Sequence, residues 1–97
     1  MTYSVEIAEA AEKDVREAFL WYEDQKESLG SRFENYIKKT IDSIQANPLK
    51  SQIRHGTTRV LYLDKFPYGI HFQVIENRIL IVAVFHTSQD SEKWERR

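Results

Sequence analysis

Residues 3 to 7 alternate, with Tyr3, Val5 and Ile7 apolar and Ser4 and Glu6 polar between them. A period of two marks a short strand with one buried face. A strand this early has to find its partner later in the chain. From about Glu9 the period changes to three and four. Ala11, Val15, Ala18, Phe19 and Tyr22 line one side, Glu12, Lys13, Arg16, Glu17 and Glu23 the other, and no Gly or Pro interrupts them. That spacing predicts an amphipathic helix. Ser28-Leu29-Gly30-Ser31 follows, with Gly30 placed to end the helix and Ser31 and Glu34 at the spacing of a capping box that would start another. The second helix carries Phe33, Tyr36, Ile37, Ile41 and Ile44 as one apolar stripe and stops at Asn47-Pro48, because proline disfavours the helical conformation of the residue before it. Two helices joined this tightly form an antiparallel hairpin.

The second half reads differently. Leu49 to Thr58 is polar and is expected to be a loop, with room for a short edge strand around Ile53. Thr58 to Asp64 is β-prone and apolar apart from Arg59, Phe66-Pro67-Tyr68-Gly69 is a turn, and Ile70 to Val74 alternates strictly with Ile70, Phe72 and Val74 inward. Glu76-Asn77 fits a two-residue hairpin loop, since Asn tolerates positive φ. Ile79 to Phe85 is an unbroken apolar run, the pattern of a central strand covered on both faces. In the tail, Asp90 is placed to cap a last helical turn that carries Trp94 back to the body. The expected fold is α+β, in the order β-α-α-β-β-β, with an N-terminal strand and a helical hairpin packed on a small antiparallel sheet. Residues 1–97 form one domain.

Composition narrows the chemistry. The chain has 97 residues and no cysteine, which removes disulfides, thiolate metal sites and a cysteine nucleophile. A chain of this size buries one thin core, and a partner would add to its stability. Met1 to Glu6 lacks the basic and apolar regions of a secretory leader, and no apolar run reaches the ~18 residues of a membrane span. The protein is expected in the cytoplasm and away from membranes. The formal net charge of −1 excludes a uniformly basic nucleic-acid coat. The sum hides an asymmetry: residues 1–47 hold ten acids and six bases, residues 48–97 five acids and eight bases, so the halves carry −4 and +3. An anionic partner should prefer the second half.

No glycine-rich phosphate loop, nucleophile elbow, zinc-binding His-Glu-x-x-His or carboxylate trio is present, and neither a metal nor a cofactor is expected. What remains is a scatter of polar residues on the strand segment: Arg54, His55, Arg59, Lys65, Tyr68, His71, His86, Ser88 and Gln89. Arg59 interrupts an apolar strand and reads two ways, as a solvent-face cation or as a clamp for phosphate or carboxylate through its planar fork of donors. His86 ends the apolar run, where an imidazole serves as general acid or base or simply as a structural terminus. Arg59 and His86 are the candidate catalytic residues.

Several phrases recur together on this layout: Ala11 with Asp14 and Trp21-Tyr22 on the first helix, Leu29-Gly30 with Arg32-Phe33 at the hairpin, Asn47-Pro48, Arg59, Lys65-Phe66-Pro67-Tyr68, and His86-Thr87-Ser88 leading to Trp94. In this order they resemble the RelE/ParE superfamily of bacterial type II toxin–antitoxin toxins, most of all its ParE-like, plasmid-stabilisation branch, over essentially the whole chain. The resemblance implies a growth-inhibiting toxin, neutralised by a cognate antitoxin in a hetero-oligomer. It offers two activities, a metal-independent and ribosome-dependent cutting of messenger RNA or the poisoning of DNA gyrase. Arg59 then matches the position of an active-site arginine of the nucleases, and His86 opens the family's His-Thr-Ser phrase. Relatives commonly continue that phrase with Arg, whereas this chain has Gln89. Stabilising a pentacoordinate phosphate needs preorganised positive charge, so a protein target such as gyrase is the expectation. The ribonuclease is the alternative, and a member that binds antitoxin without toxicity is the second alternative.

Overall fold

The structure, a computed structural model, describes residues 2–89. The expected cap at Asp90 and the Trp94 anchor lie outside the described residues. The chain forms β1 (Ser4–Ile7), α1 (Glu9–Gln25), α2 (Leu29–Ala46), β2 (Gln52–His55), β3 (Thr58–Tyr62), β4 (Tyr68–Ile75) and β5 (Arg78–His86), with 3-10 turns at Pro48–Lys50 and Thr87–Gln89. One five-stranded sheet runs β1-β5-β4-β3-β2, with the helical hairpin on one face. The α+β order is the expected one with a strand added.

Three differences from the expectation have clear causes. The sheet is mixed rather than antiparallel, because β1 pairs with β5 in parallel, Val5 opposite Ile79 and Ile7 opposite Ile81. Parallel pairing needs a long connection, and everything between the two strands supplies it. The polar stretch is not all loop: the short edge strand with room around Ile53 forms as β2, paired with β3 through Gln52–Val60 and Ile53–Arg59. The central position belongs to β4, with β5 one place towards the β1 edge.

The helical hairpin closes by means other than a capping box. α2 starts at Leu29, and Ser28 before it adopts φ 71° with no side-chain cap. The donors of this turn are met from α1: the Glu23 carboxylate accepts from the Ser28 N–H at 3.1 Å and the Gly30 N–H at 2.9 Å. A carboxylate at a helix N-terminus satisfies orphan donors and opposes the dipole. Gly30 therefore lies inside α2 rather than ending α1. Its hydrogen faces α1 so closely that an added Cβ would lie 2.7 Å from the Phe19 carbonyl oxygen.

Beneath the hairpin, Phe33, Ile44, Ile70, Phe72, Ile79 and Ile81 are almost fully buried. The apolar run of β5 is explained by a bulge. Phe72 pairs with Ile81 but His71 pairs with Ala83, leaving Val82 as the extra residue. The inward set shifts from Ile79 and Ile81 to Val84, while Ala83 and Phe85 join His71 on the opposite face, all three buried. The β4–β5 turn places positive φ on Glu76, at 55°, instead of Asn77. No helix among the described residues is long and apolar enough to cross a membrane.

Candidate functional site

The sheet holds Arg59 and His86 in separate places. Arg59 stands opposite Phe72 on β3, and its Nη1 donates to the Ser51 carbonyl at 2.7 Å and the Leu49 carbonyl at 3.3 Å. It ties the Pro48–Lys50 turn, and the start of β2 beyond it, to the sheet. His86 closes β5 opposite Tyr68. Arg59 and His86 are four residues apart along the strands and two strands apart across them, a separation of roughly 16 Å at ordinary strand spacings. Arg54 and His55 are exposed on β2, Lys65 is exposed in the turn before β4, and His71 is buried against Phe85 with ring centroids 5.2 Å apart. The polar residues of the strand segment do not converge on one point.

A cluster does form around His86. Its Nδ1 accepts from the Ser88 N–H at 3.1 Å, and the Ser88 Oγ lies 2.8 Å from the same nitrogen. A ring nitrogen that accepts carries no proton, so in the neutral ring the proton sits on Nε2. The ring packs edge-on against Tyr68 at 5.2 Å, and Tyr68 packs against Tyr22 at 6.1 Å and Phe33 at 5.2 Å. Trp21, edge-on to Tyr22 at 5.1 Å, is 58% exposed. Trp21, Tyr22, Pro67, Tyr68, His86 and Ser88 line a cleft of about 480 Å³. Beside it, a hollow of about 200 Å³ adds Asp14 and Glu17. Asp14 Oδ2 accepts from the Val84 N–H at 3.0 Å, which fastens α1 to β5 beyond the end of β1.

Burial raises the Tyr68 phenol above its ordinary value of 10.0, and Tyr22 and Asp14 beside it push the same way. Burial raises Tyr22 as well. Both phenols stay protonated near neutral pH, so neither serves as a phenolate base. Among the described residues no three His, Asp or Glu side chains gather as a metal-holding group. Reading the sequence placed His86, Tyr68 and Ser88 among the candidates but missed Trp21 and Tyr22 as their neighbours. The available signal was Trp21 itself, a large indole off the apolar stripe of α1.

The model of the ParE toxin of the parDE type II toxin–antitoxin system matches residues 5–91. The chain belongs to this ParE toxin family. Its fold is similar to that of the chromosomal ParDE toxin–antitoxin system of P. aeruginosa, with a TM-score of 0.77 at 17% identity over 88% of this chain and 96% of that one. It is also similar to E. coli toxin RelE, in a mutant with two arginines changed to alanine and complexed with a peptide of antitoxin RelB, with a TM-score of 0.65 at 21% identity over 96% and 95% of the two chains. No curated protein matches at a significant level. The resemblance drawn from the sequence holds for both family and fold.

Proposed function

We propose that this ParE-family chain arrests growth in the cytoplasm by binding a protein target, DNA gyrase, and that a cognate antitoxin neutralises it. The observation that carries the choice of target is the placement of Arg59. Its Nη1 is engaged by two backbone carbonyls, and His86 lies far along the sheet. A metal-free ribonuclease needs charge stabilisation and an acid–base group converging within hydrogen-bond reach of one phosphate. This pair has no such convergence, and the described side chains around His86 are Ser88, Tyr68 and Trp21, with Asp14 and Glu17 in the hollow beside them. In a supercoiling assay the purified chain is expected to inhibit gyrase while translated messages stay intact. Unaltered supercoiling with excess protein that still arrests growth overturns the gyrase reading. Primer-extension cuts that vanish in Arg59→Ala replace it with the ribonuclease. Folded protein that causes no arrest marks an antitoxin-binding member without toxicity.

The antitoxin's seat is proposed at the β2 edge. Leu49 and Ile53 are 56% and 54% exposed there, and β3 continues past its last β2 pairing at Val60, leaving Leu61 and Tyr62 without a β2 partner. A groove of about 790 Å³ runs beside this edge, lined by Tyr36, Lys39, Lys50, Leu61 and Tyr62 among others. An open edge flanked by apolar side chains and cations suits an extended segment of acidic and apolar residues added as a strand. Coexpression with the adjacent reading frame is expected to yield a stable hetero-oligomer on size exclusion. Free toxin alone would remove the antitoxin claim.

A further inference from the structure

The two edges of the sheet differ in character. Lys50 and Arg54 place cations on the β2 edge, and its register shifts between Ile53 and His55. Both features discourage pairing with another strand. The β1 edge has neither: Ser4–Ile7 contains no Lys, Arg or Pro and pairs with β5 without a bulge, so its short length is its main protection. Its backbone is half used. The Ser4 N–H donates to the Asn77 carbonyl at 3.0 Å and the Ala8 N–H to the Ile81 carbonyl at 2.9 Å. Ser4, Glu6 and Ala8 therefore face β5, and in a parallel ladder the residues between them face away. Tyr3 fits this alternation, since its carbonyl accepts from Gln45 Nε2 at 2.7 Å, outside the ladder. Among the described residues, no group bonds the outward N–H or C=O of Val5 or Ile7. We infer that this edge pairs with β1 of a second copy of the chain, antiparallel about a two-fold axis through Val5, joining the two sheets into one.

The side chains select this register. A two-fold contact sets the edge against itself. An axis through Glu6 would put two carboxylates opposite each other, which is destabilising, and axes through Tyr3, Ser4 or Ile7 pair fewer β1 residues. An axis through Val5 places Val5 opposite Val5, Ser4 opposite Glu6 and Tyr3 opposite Ile7 of the second copy. Tyr3 and Val5 pack against the core beneath the helices, so their pairs continue that apolar layer from one copy to the next. Ile7 is 43% exposed and borders a groove of about 360 Å³ that Val15, Phe19, Ile37 and Ile41 also line. The second copy's Tyr3 arrives beside this groove, which gives its ring an apolar surface to cover. On the other face, Glu6 is held by Arg78 Nη1 at 3.3 Å and meets the uncharged Ser4. The edge is thus complementary to itself in backbone, apolar layer and charge.

The test is sedimentation of the whole chain, free of antitoxin, over a concentration series, combined with hydrogen exchange of the β1 amides. A dimer is expected, with the Val5 and Ile7 amides protected as it forms and exposed again on dilution. Val5→Pro removes an outward N–H that β5 does not use, a change an edge strand tolerates, and is expected to weaken the dimer about tenfold or more. Ser4 is exposed, so substitutions there leave the fold intact and test the register. Ser4→Lys faces Glu6 of the second copy twice in each dimer and is expected to tighten dimerisation about 2- to 30-fold, with Ser4→Glu loosening it by a similar factor. A chain that stays monomeric at every attainable concentration overturns the inference. So does a dimer that leaves Val5 and Ile7 unprotected, or one in which the two Ser4 variants do not move the affinity in opposite directions. Protection of Val5 and Ile7 that arises only when the antitoxin is added also overturns it, and gives this edge to the antitoxin. The inference does not rest on the growth-arrest target, so failure of the gyrase assay leaves it standing.

Discussion

Two positions, Gly30 and Tyr68, decide local behaviour for reasons a substitution exposes. Gly30 lets α2 approach α1, and a Cβ there would meet the Phe19 carbonyl oxygen at 2.7 Å and the Phe19 ring at 2.8 Å. Helix propensity favours Ala over Gly by about 1 kcal/mol, but overpacking against backbone costs about 1–3 kcal/mol. Gly30→Ala is therefore expected to destabilise the protein despite its position in a helix, and urea denaturation checks the sign. Tyr68 gives a pH prediction. Its folded-state value is raised above 10.0 by burial, Tyr22 and Asp14, so the unfolded chain loses this proton first as pH rises. The associated stability is fully present below the unfolded value and is lost as pH climbs through the folded one. Unfolding midpoints are expected to be insensitive to this group near neutrality and to fall above about pH 10, with a shallower fall in Tyr68→Phe. The Gly30 reading from sequence as a helix end shows the limit of local rules. The dipeptide Leu29-Gly30 marks the hairpin correctly, but the reason for the glycine is a neighbour eleven positions away.

Legibility differs sharply between elements. The helices were readable because their stripes, such as Phe33, Ile37 and Ile44 on α2, face a core that is buried in fact. β2 was readable only as room for a short edge strand around Ile53, because all four of its residues are exposed and an exposed edge strand need not alternate. The apolar run of β5 disclosed a buried strand but not the bulge at Val82, since a bulge changes which face each residue meets without changing their polarity. The candidate site was legible only as single residues: His86 stood out by ending the run, but its neighbours Trp21 and Tyr22 arrive from α1 by tertiary packing. Arg59 belongs to this scale too, since it binds a turn and strand β3 together through the Leu49 and Ser51 carbonyls. Hydrogen bonds to a charged group are worth about 1.5–3 kcal/mol. Arg59→Met is expected to cost about that much, and to lower hydrogen-exchange protection in β2 and β3 more than in α1. Unchanged exchange in β2 would show that the arginine does not hold the edge, and would free it for a role at a phosphate.

At the scale of the molecule, the division of charge acquires a location. Among the described residues the second half's charges, Lys50, Arg54, Arg59, Lys65 and Arg78 against Asp64 and Glu76, lie on β2–β5 and the turns between and before them, and Lys50 at the β2 edge joins Lys39 of α2 around one groove. If an acidic antitoxin segment docks there, its approach should be steered by this local field rather than by the net charge of −1. Steering acts mainly on the association rate and weakens as salt shortens the Debye length to about 8 Å at physiological ionic strength. Both lysines are exposed, so replacing them leaves the core untouched. The double variant Lys39→Glu/Lys50→Glu is expected to associate with the antitoxin about tenfold more slowly at low salt, within the range electrostatic steering commands, and to lose most of the salt dependence of that rate. Stopped-flow association across a salt series measures both. A variant that associates at the wild-type rate would move the antitoxin to another face of the toxin, and the β2 edge would then be left as an exposed strand protected only by its charges.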